Sequence, residues 1–160
     1  MAILGLSLLF PTFLNAQCVK GDCYDGSGTY VYESGARYVG EFRKGKIHGK
    51  GILYFSNGNK YIGEWVDHYR QGEGKMTFSN GDEYTGEFHR SKISGQGAMA
   101  FANGDHYQGQ WADDLQHGYG VYTYADGDRY EGEYERAKMN GVGTMFYTDG
   151  AQYTGSWRNN

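Results

Sequence analysis

A tyrosine returns every 23 residues through this chain, at Tyr38, Tyr61, Tyr84, Tyr107, Tyr130 and Tyr153, without a slip. A period of that length, sustained over most of a chain, encodes a stack of small supersecondary units, each burying its apolar face against its neighbours. Function is therefore to be sought on a surface built by stacking and not in a single pocket. Each tyrosine opens the same phrase. Its clearest copy is Tyr61-Ile62-Gly63-Glu64-Trp65, then Gln71-Gly72-Glu73-Gly74, then Met76, Phe78 and Asn80-Gly81.

Within a unit the alternation has period two, which is the period of a strand. Tyr61, Gly63 and Trp65 fall on one face, Ile62 and Glu64 on the other. The second segment places Gly74, Met76 and Phe78 on one face, Lys75 and Thr77 on the other. Two strands per unit follow. Asn57-Gly58, Asn80-Gly81, Asn103-Gly104, Asp126-Gly127 and Asp149-Gly150 predict tight two-residue hairpins, because such pairs accept positive φ angles. The other link, ending near Gly49, Gly72, Gly95, Gly118 or Gly141, is expected to be a longer loop.

The predicted fold is all-β: an elongated, single-layer antiparallel meander of stacked 23-residue hairpins. Each unit advances the sheet by roughly 10 Å. A sheet without helices has a thin core, which explains 27 glycines beside 16 tyrosines. Rings lie across the strands where a glycine leaves room, with Tyr61, Trp65, Met76 and Phe78 as core. The competing reading is that the aromatic stripe is a stacking platform for sugars or single-stranded nucleic acid. A glycan platform would require Tyr69 or Tyr119 to face solvent.

The net charge of −4 and pI of 5.7 offer no basic surplus, so nucleic acid is not an expected partner. Residues 1–16 resemble a secretory signal peptide, with an apolar run over Met1–Phe13 and Ala16 as a small residue for cleavage. That run is too short for a membrane span, although no Lys or Arg precedes it. The expected location is outside the cytoplasm: periplasm, cell surface or medium, in a bacterial envelope. Residues 17–37 form an N-terminal partial repeat, 38–152 five full repeats, and 153–160 a truncated sixth. Cys18 and Cys23 stand in the partial repeat, and in an oxidising compartment they are expected to form a local disulfide.

The phrase Tyr-x-Gly-Glu-Trp/Phe, then His/Gln-Gly-x-Gly, then Asn/Asp-Gly resembles the MORN repeat (membrane occupation and recognition nexus). The best matches are Tyr38-Val39-Gly40-Glu41-Phe42 with His48-Gly49-Lys50-Gly51, and Tyr107-Gln108-Gly109-Gln110-Trp111 with His117-Gly118-Tyr119-Gly120. The resemblance extends over residues 26–157. The loop glycine is kept only at Gly45; His68, Ser91, Asp114 and Ala137 replace it elsewhere, and different loop shapes are expected there. The resemblance implies an elongated sheet acting as a scaffold, often self-associating, with phospholipid binding as a role of some members. In other members the repeats accompany a catalytic domain, so this chain could be the accessory region of a longer enzyme.

No residue pattern calls for catalysis, a cofactor or a metal. His48 and His117 share a repeat position but stand roughly 30 Å apart, and are expected to stabilise turns. The longer loops alternate in charge over two units. Arg43, Lys44 and Lys46, then Arg90 and Lys92, then Arg136 and Lys138 make basic tips, with Asp67, Asp113 and Asp114 between them. Two readings follow. The tips neutralise each other along a solvated edge, or they form an edge for anionic lipid with Ile47, Ile93 and Met139 as apolar contacts. Glu41, Glu64, Glu87 and Glu133 are expected on a solvated face. Tyr153 and Trp157 mark a candidate self-association edge. The leading expectation is a non-enzymatic scaffold binding a protein partner or itself.

Overall fold

A computed structural model describes residues 16–160; the leader assigned to 1–16 lies outside the described residues, apart from Ala16. Thirteen strands follow one another in a single antiparallel sheet, each paired only with its sequence neighbours. The strands β1 (Gln17–Gly21) and β2 (Ser27–Val31) make the incomplete first unit. The first full unit is β3 (Arg37–Arg43) and β4 (Lys46–Tyr54), and the pattern repeats to β13 (Gln152–Trp157).

The register explains the glycines. Gly28, Gly40, Gly51, Gly63 and Gly74 stand opposite one another on successive strands, and the line continues unbroken to Gly143 and Gly155. The repeat tyrosines lie flat over this line. A Cβ on Gly74 would meet the Tyr61 ring at 2.5 Å, and one on Gly97 would meet two ring carbons of Tyr84 at 2.5 Å. The rings from Tyr38 to Tyr130 also donate their hydroxyl protons to a carbonyl three residues on, as from Tyr61 to Glu64 at 3.1 Å and from Tyr107 to Gln110 at 2.9 Å.

Between the tyrosines stand Phe42, Trp65, Phe88, Trp111, Tyr134 and Trp157. Each meets the tyrosine of its own unit edge-on, and from Trp65 onward also that of the unit before, with centroids from 5.0 to 5.6 Å apart. Edge-to-face contacts of this kind each add about 0.5–1.5 kcal/mol beyond burial. Tryptophan takes every second place, where its indole N–H donates to Gly51, Gly97 or Gly143 at 3.1–3.4 Å. This ladder, roofed by Met76, Met99, Met145, Ile47 and Ile93, buries Tyr38, Tyr61, Tyr84, Tyr107 and Tyr130 to 1% exposure or less. Tyr153, on the last strand, is 48% exposed.

At the other end Cys18 and Cys23 are joined in a disulfide. The Cys23 sulfur lies 2.7 Å from where a Cβ of Gly28 would stand, so it fills the seat that Tyr38 fills over Gly51.

The two links differ from expectation, and they trade places. The Asn-Gly and Asp-Gly tips are three-residue loops. Phe55 N–H donates to Asn59 at 2.9 Å and Gly58 N–H to Phe55 at 3.1 Å, and only the glycine has positive φ. This is a type I turn followed by a glycine bulge, which an Asn-Gly pair suits as well as it suits a two-residue turn. The link expected to be long is instead a two-residue turn. Lys44-Gly45, Asp67-His68, Arg90-Ser91, Asp113-Asp114 and Arg136-Ala137 all have positive φ at both positions. The remaining residues of that link belong to the strand. His48, Gly49 and Lys50 bulge opposite the single residue Glu41, with Gly49 at φ +65°.

Candidate functional site

The two long edges of the sheet are chemically unlike. Along the two-residue turns, each turn docks on the unit before it. His68, Ser91, Asp114 and Ala137 donate their N–H to Ile47, Arg70, Ile93 and Gln116 at 2.9–3.0 Å. Where the second turn residue has a polar side chain, that side chain returns the bond: His68 Nδ1, Ser91 Oγ and Asp114 Oδ1 accept from Ile47, Arg70 and Ile93 N–H. The replacements of the loop glycine therefore leave the loop shape unchanged, contrary to expectation, and lock neighbouring units together. His48 makes no such bond; its Nδ1 is buried without a partner, 3.7 Å from the Asp67 carboxylate. The turn-stabilising histidine is His68.

The basic tips of this edge are partly engaged. Arg43 and Lys46 reach Asp67 at 3.9 and 3.3 Å, and Lys92 reaches Asp113 at 2.7 Å. The Lys46 ammonium holds the Asp67 carboxyl below the usual carboxylate range, and Lys92 does the same for Asp113. Among the described residues Lys44, Arg90, Arg136 and Lys138 form no ion pair. Ile47 and Ile93 are 3% and 6% exposed, so they belong to the core and are not available as lipid contacts. Arg70 takes the place of Ile47 in its unit. Its guanidinium lies 5.6 and 5.2 Å from the Tyr61 and Phe88 ring centres and donates to the Ser91 carbonyl.

The glutamates of the opposite face are exposed, yet they are not idle. Glu64 folds over Gly72 of the bulge, and Glu87 accepts the Gln96 N–H at 2.8 Å. Gln110 does the same for Tyr119 at 2.9 Å. Tyr69 and Tyr119 are exposed singly, 54% and 56%, on the outer parts of different units. Tyr153 and Trp157 meet edge-on, centroids 5.3 Å apart, on the last strand.

The edge of the three-residue turns was not singled out from sequence. Its tips, residues 32–36, 55–59, 78–82, 101–105, 124–128 and 147–151, contain Glu33, Asp82, Asp105, Asp126, Asp128 and Asp149 and no Lys, Arg or His. None of these carboxylates is in an ion pair among the described residues. Three of them brace the next unit: Asp82, Asp105 and Asp128 accept the N–H of Ala102, Ala125 and Thr148 at 2.8–2.9 Å. Asn59 does the same for Ser79 at 2.9 Å. The Tyr122 hydroxyl, 2.6 Å from Asp105, holds that carboxyl below the usual range. Beside the tips, on the tyrosine face, runs a row of half-exposed rings: Tyr32, Phe55, Phe78, Phe101, Tyr124 and Tyr147. The signal was available in sequence as an offset at four of the six tips, an aromatic residue four before Asp or Asn (Phe55 and Asn59, Phe78 and Asp82, Phe101 and Asp105, Tyr124 and Asp128), with no cation between.

Among the described residues no group of three or more His, Cys, Asp or Glu gathers as a metal site. The fold defines a β-hairpin repeat protein, an open sheet whose useful surface is its length. The MORN repeat model matches residues 20–37, 38–60, 61–83, 84–106, 107–129 and 130–152, and the chain belongs to the MORN repeat family. No curated protein matches it. Among solved structures it is similar to the TCP10 domain of Danio rerio CPAP, at 18% identity and a TM-score of 0.48, covering 81% of this chain and 62% of that one. It is also similar to the Drosophila melanogaster SAS-4 TCP domain, solved with a proline-rich motif of Ana2, at 13% identity and a TM-score of 0.47 over 97% of this chain and 99% of that one. At such identities and scores neither likeness carries a partner over to this chain.

Proposed function

We propose that this chain is a non-enzymatic, exported scaffold that binds a protein partner along its sheet. One observation carries the reading: the same tip, the same ring and the same brace recur in unit after unit on a lattice fixed by hydrogen bonds between units. A lattice of this kind recognises something long. Export is supported by the Cys18–Cys23 disulfide, a bond that persists in oxidising compartments. Self-association through Tyr153 and Trp157 is the second form of the same reading, supported by the 48% exposure of Tyr153. For an anionic-lipid edge the free cations Lys44, Arg90, Arg136 and Lys138 speak in favour; the pairing of Arg43, Lys46 and Lys92 speaks against.

The test is selection of a displayed peptide library on the folded full chain, with the urea-unfolded chain as control. Enrichment of peptides sharing a motif is expected. No enrichment over the unfolded control overturns the reading, and flotation with anionic vesicles at physiological salt would then favour lipid.

A further inference from the structure

The rings Tyr32, Phe55, Phe78, Phe101, Tyr124 and Tyr147 are aromatic at every unit, yet none is buried as the repeat tyrosines beside them are. Tyr147 is 42% exposed. With two strands per unit these rings recur about every 9.6 Å across the sheet. A polypeptide laid along the array in the polyproline conformation rises about 3.1 Å per residue with three residues per turn, so every third side chain faces the same way. Three of its residues therefore span one unit, and a side chain at every third position meets a ring in each.

Charge settles what stands between those positions. The bordering tips carry six carboxylates and no cation, and no ion pair among the described residues cancels any of them. The carboxylates of Asp82, Asp105 and Asp128 are already held by neighbouring N–H groups, so binding does not have to order them. The opposite edge alternates in sign and pairs with itself, and offers a uniformly cationic chain no comparable border.

We propose that the ring row and its acidic border bind an extended, cationic polypeptide segment that runs across the strands and carries an apolar residue, proline included, at every third position. The inference rests on the scaffold reading and names the class of partner. A segment of this kind loses little conformational freedom if it is already polyproline-like, and its Lys or Arg residues supply salt-dependent attraction.

The experiment uses two labelled peptides of equal composition, five Pro-Lys-Ser triplets in order and the same residues scrambled, titrated with the oxidised full chain by fluorescence anisotropy. The ordered peptide is expected to bind about tenfold tighter. Equal affinity overturns the inference, since charge alone would then explain binding. The triple variant Asp82→Asn, Asp105→Asn, Asp128→Asn keeps the acceptor each position offers its neighbour, as Asn59 does natively, so the fold is retained. It should weaken both peptides and flatten their salt dependence; unchanged binding overturns the acidic border. Tyr147→Ser should narrow the gap between the peptides, and an unchanged gap counts against the ring row. If neither peptide binds while a display library yields binders of another pattern, this inference falls and the scaffold reading stands. If no peptide of any kind binds, both fall.

Discussion

Gly97 and Ala98 are chain neighbours on opposite faces of one strand. Gly97 lies under the Tyr84 ring with no room for a methyl group. Ala98 looks out on the open face beside Thr85, Gln108 and Val121. On the tyrosine face, rings, glycines and carbonyls are fitted to one another from end to end. On the open face the cross-strand pairs include Lys75 with Thr85, Gln108 with Val121, and Glu73 directly opposite Glu87. Like charges placed opposite each other are mildly unfavourable, so that face does not hold the sheet together. A single layer is stable here because one of its faces does the packing of a whole core.

Alkaline titration attacks the tyrosine face alone and should have the largest effect. Burial pushes the Tyr38, Tyr84 and Tyr107 hydroxyls well above their usual range, and raises Tyr61 to about 12. The unfolded chain ionises near the ordinary value of 10. The stability these groups contribute is thus complete below that pH and is lost as pH rises toward the folded-state values. Strand circular dichroism is expected to collapse between about pH 10 and 12. An intact sheet with its tyrosines ionised by ultraviolet absorbance would break the comparison.

Substitutions at the adjacent pair come next. Gly97→Ala must displace Tyr84 and should cost about 3 kcal/mol, whereas Ala98→Ser should stay within about 0.5 kcal/mol. Urea unfolding midpoints measure both, and similar shifts would show that the faces are not distinct. The smallest effects separate two hydroxyls of one ladder. Tyr84→Phe removes the bond to Glu87, 3.1 Å long, and should lose about 1 kcal/mol. Tyr134→Phe removes a buried hydroxyl that has no partner, at a position where Phe42 and Phe88 serve in other units. It should leave thermal stability unchanged or raise it; a loss matching that of Tyr84→Phe would reveal a partner for Tyr134.

Much of this was legible in residue order. The assignment of Tyr61 and Trp65 to one face and Ile62 to the other needs only a period of two, and burial agrees: Tyr61 is 0% and Ile62 41% exposed. The turns were harder. Asn57-Gly58 tolerates either hairpin geometry, and the five residues from Phe55 to Asn59 close as a three-residue loop because Phe55 and Asn59 pair. Arg90-Ser91 and Arg136-Ala137 carry no local mark of left-handed backbone, yet both adopt it. Reading those turns as long loops placed Ile47 and Ile93 on a solvent edge, when the short turn makes them strand residues that roof the rings.

The sequence by itself determined the repeat, the two strands of each unit and which side chains share a face, because all three follow from spacing along the chain. Only the tertiary structure decided how the units lock. Bonds from Ala137 to Gln116 and from Ala125 to Asp105, and the Cys23 sulfur seated on Gly28, join groups that spacing does not place together. A left-handed turn that local preference does not favour is held by the hydrogen bond it makes to the unit before it, and that bond exists only once the units are stacked.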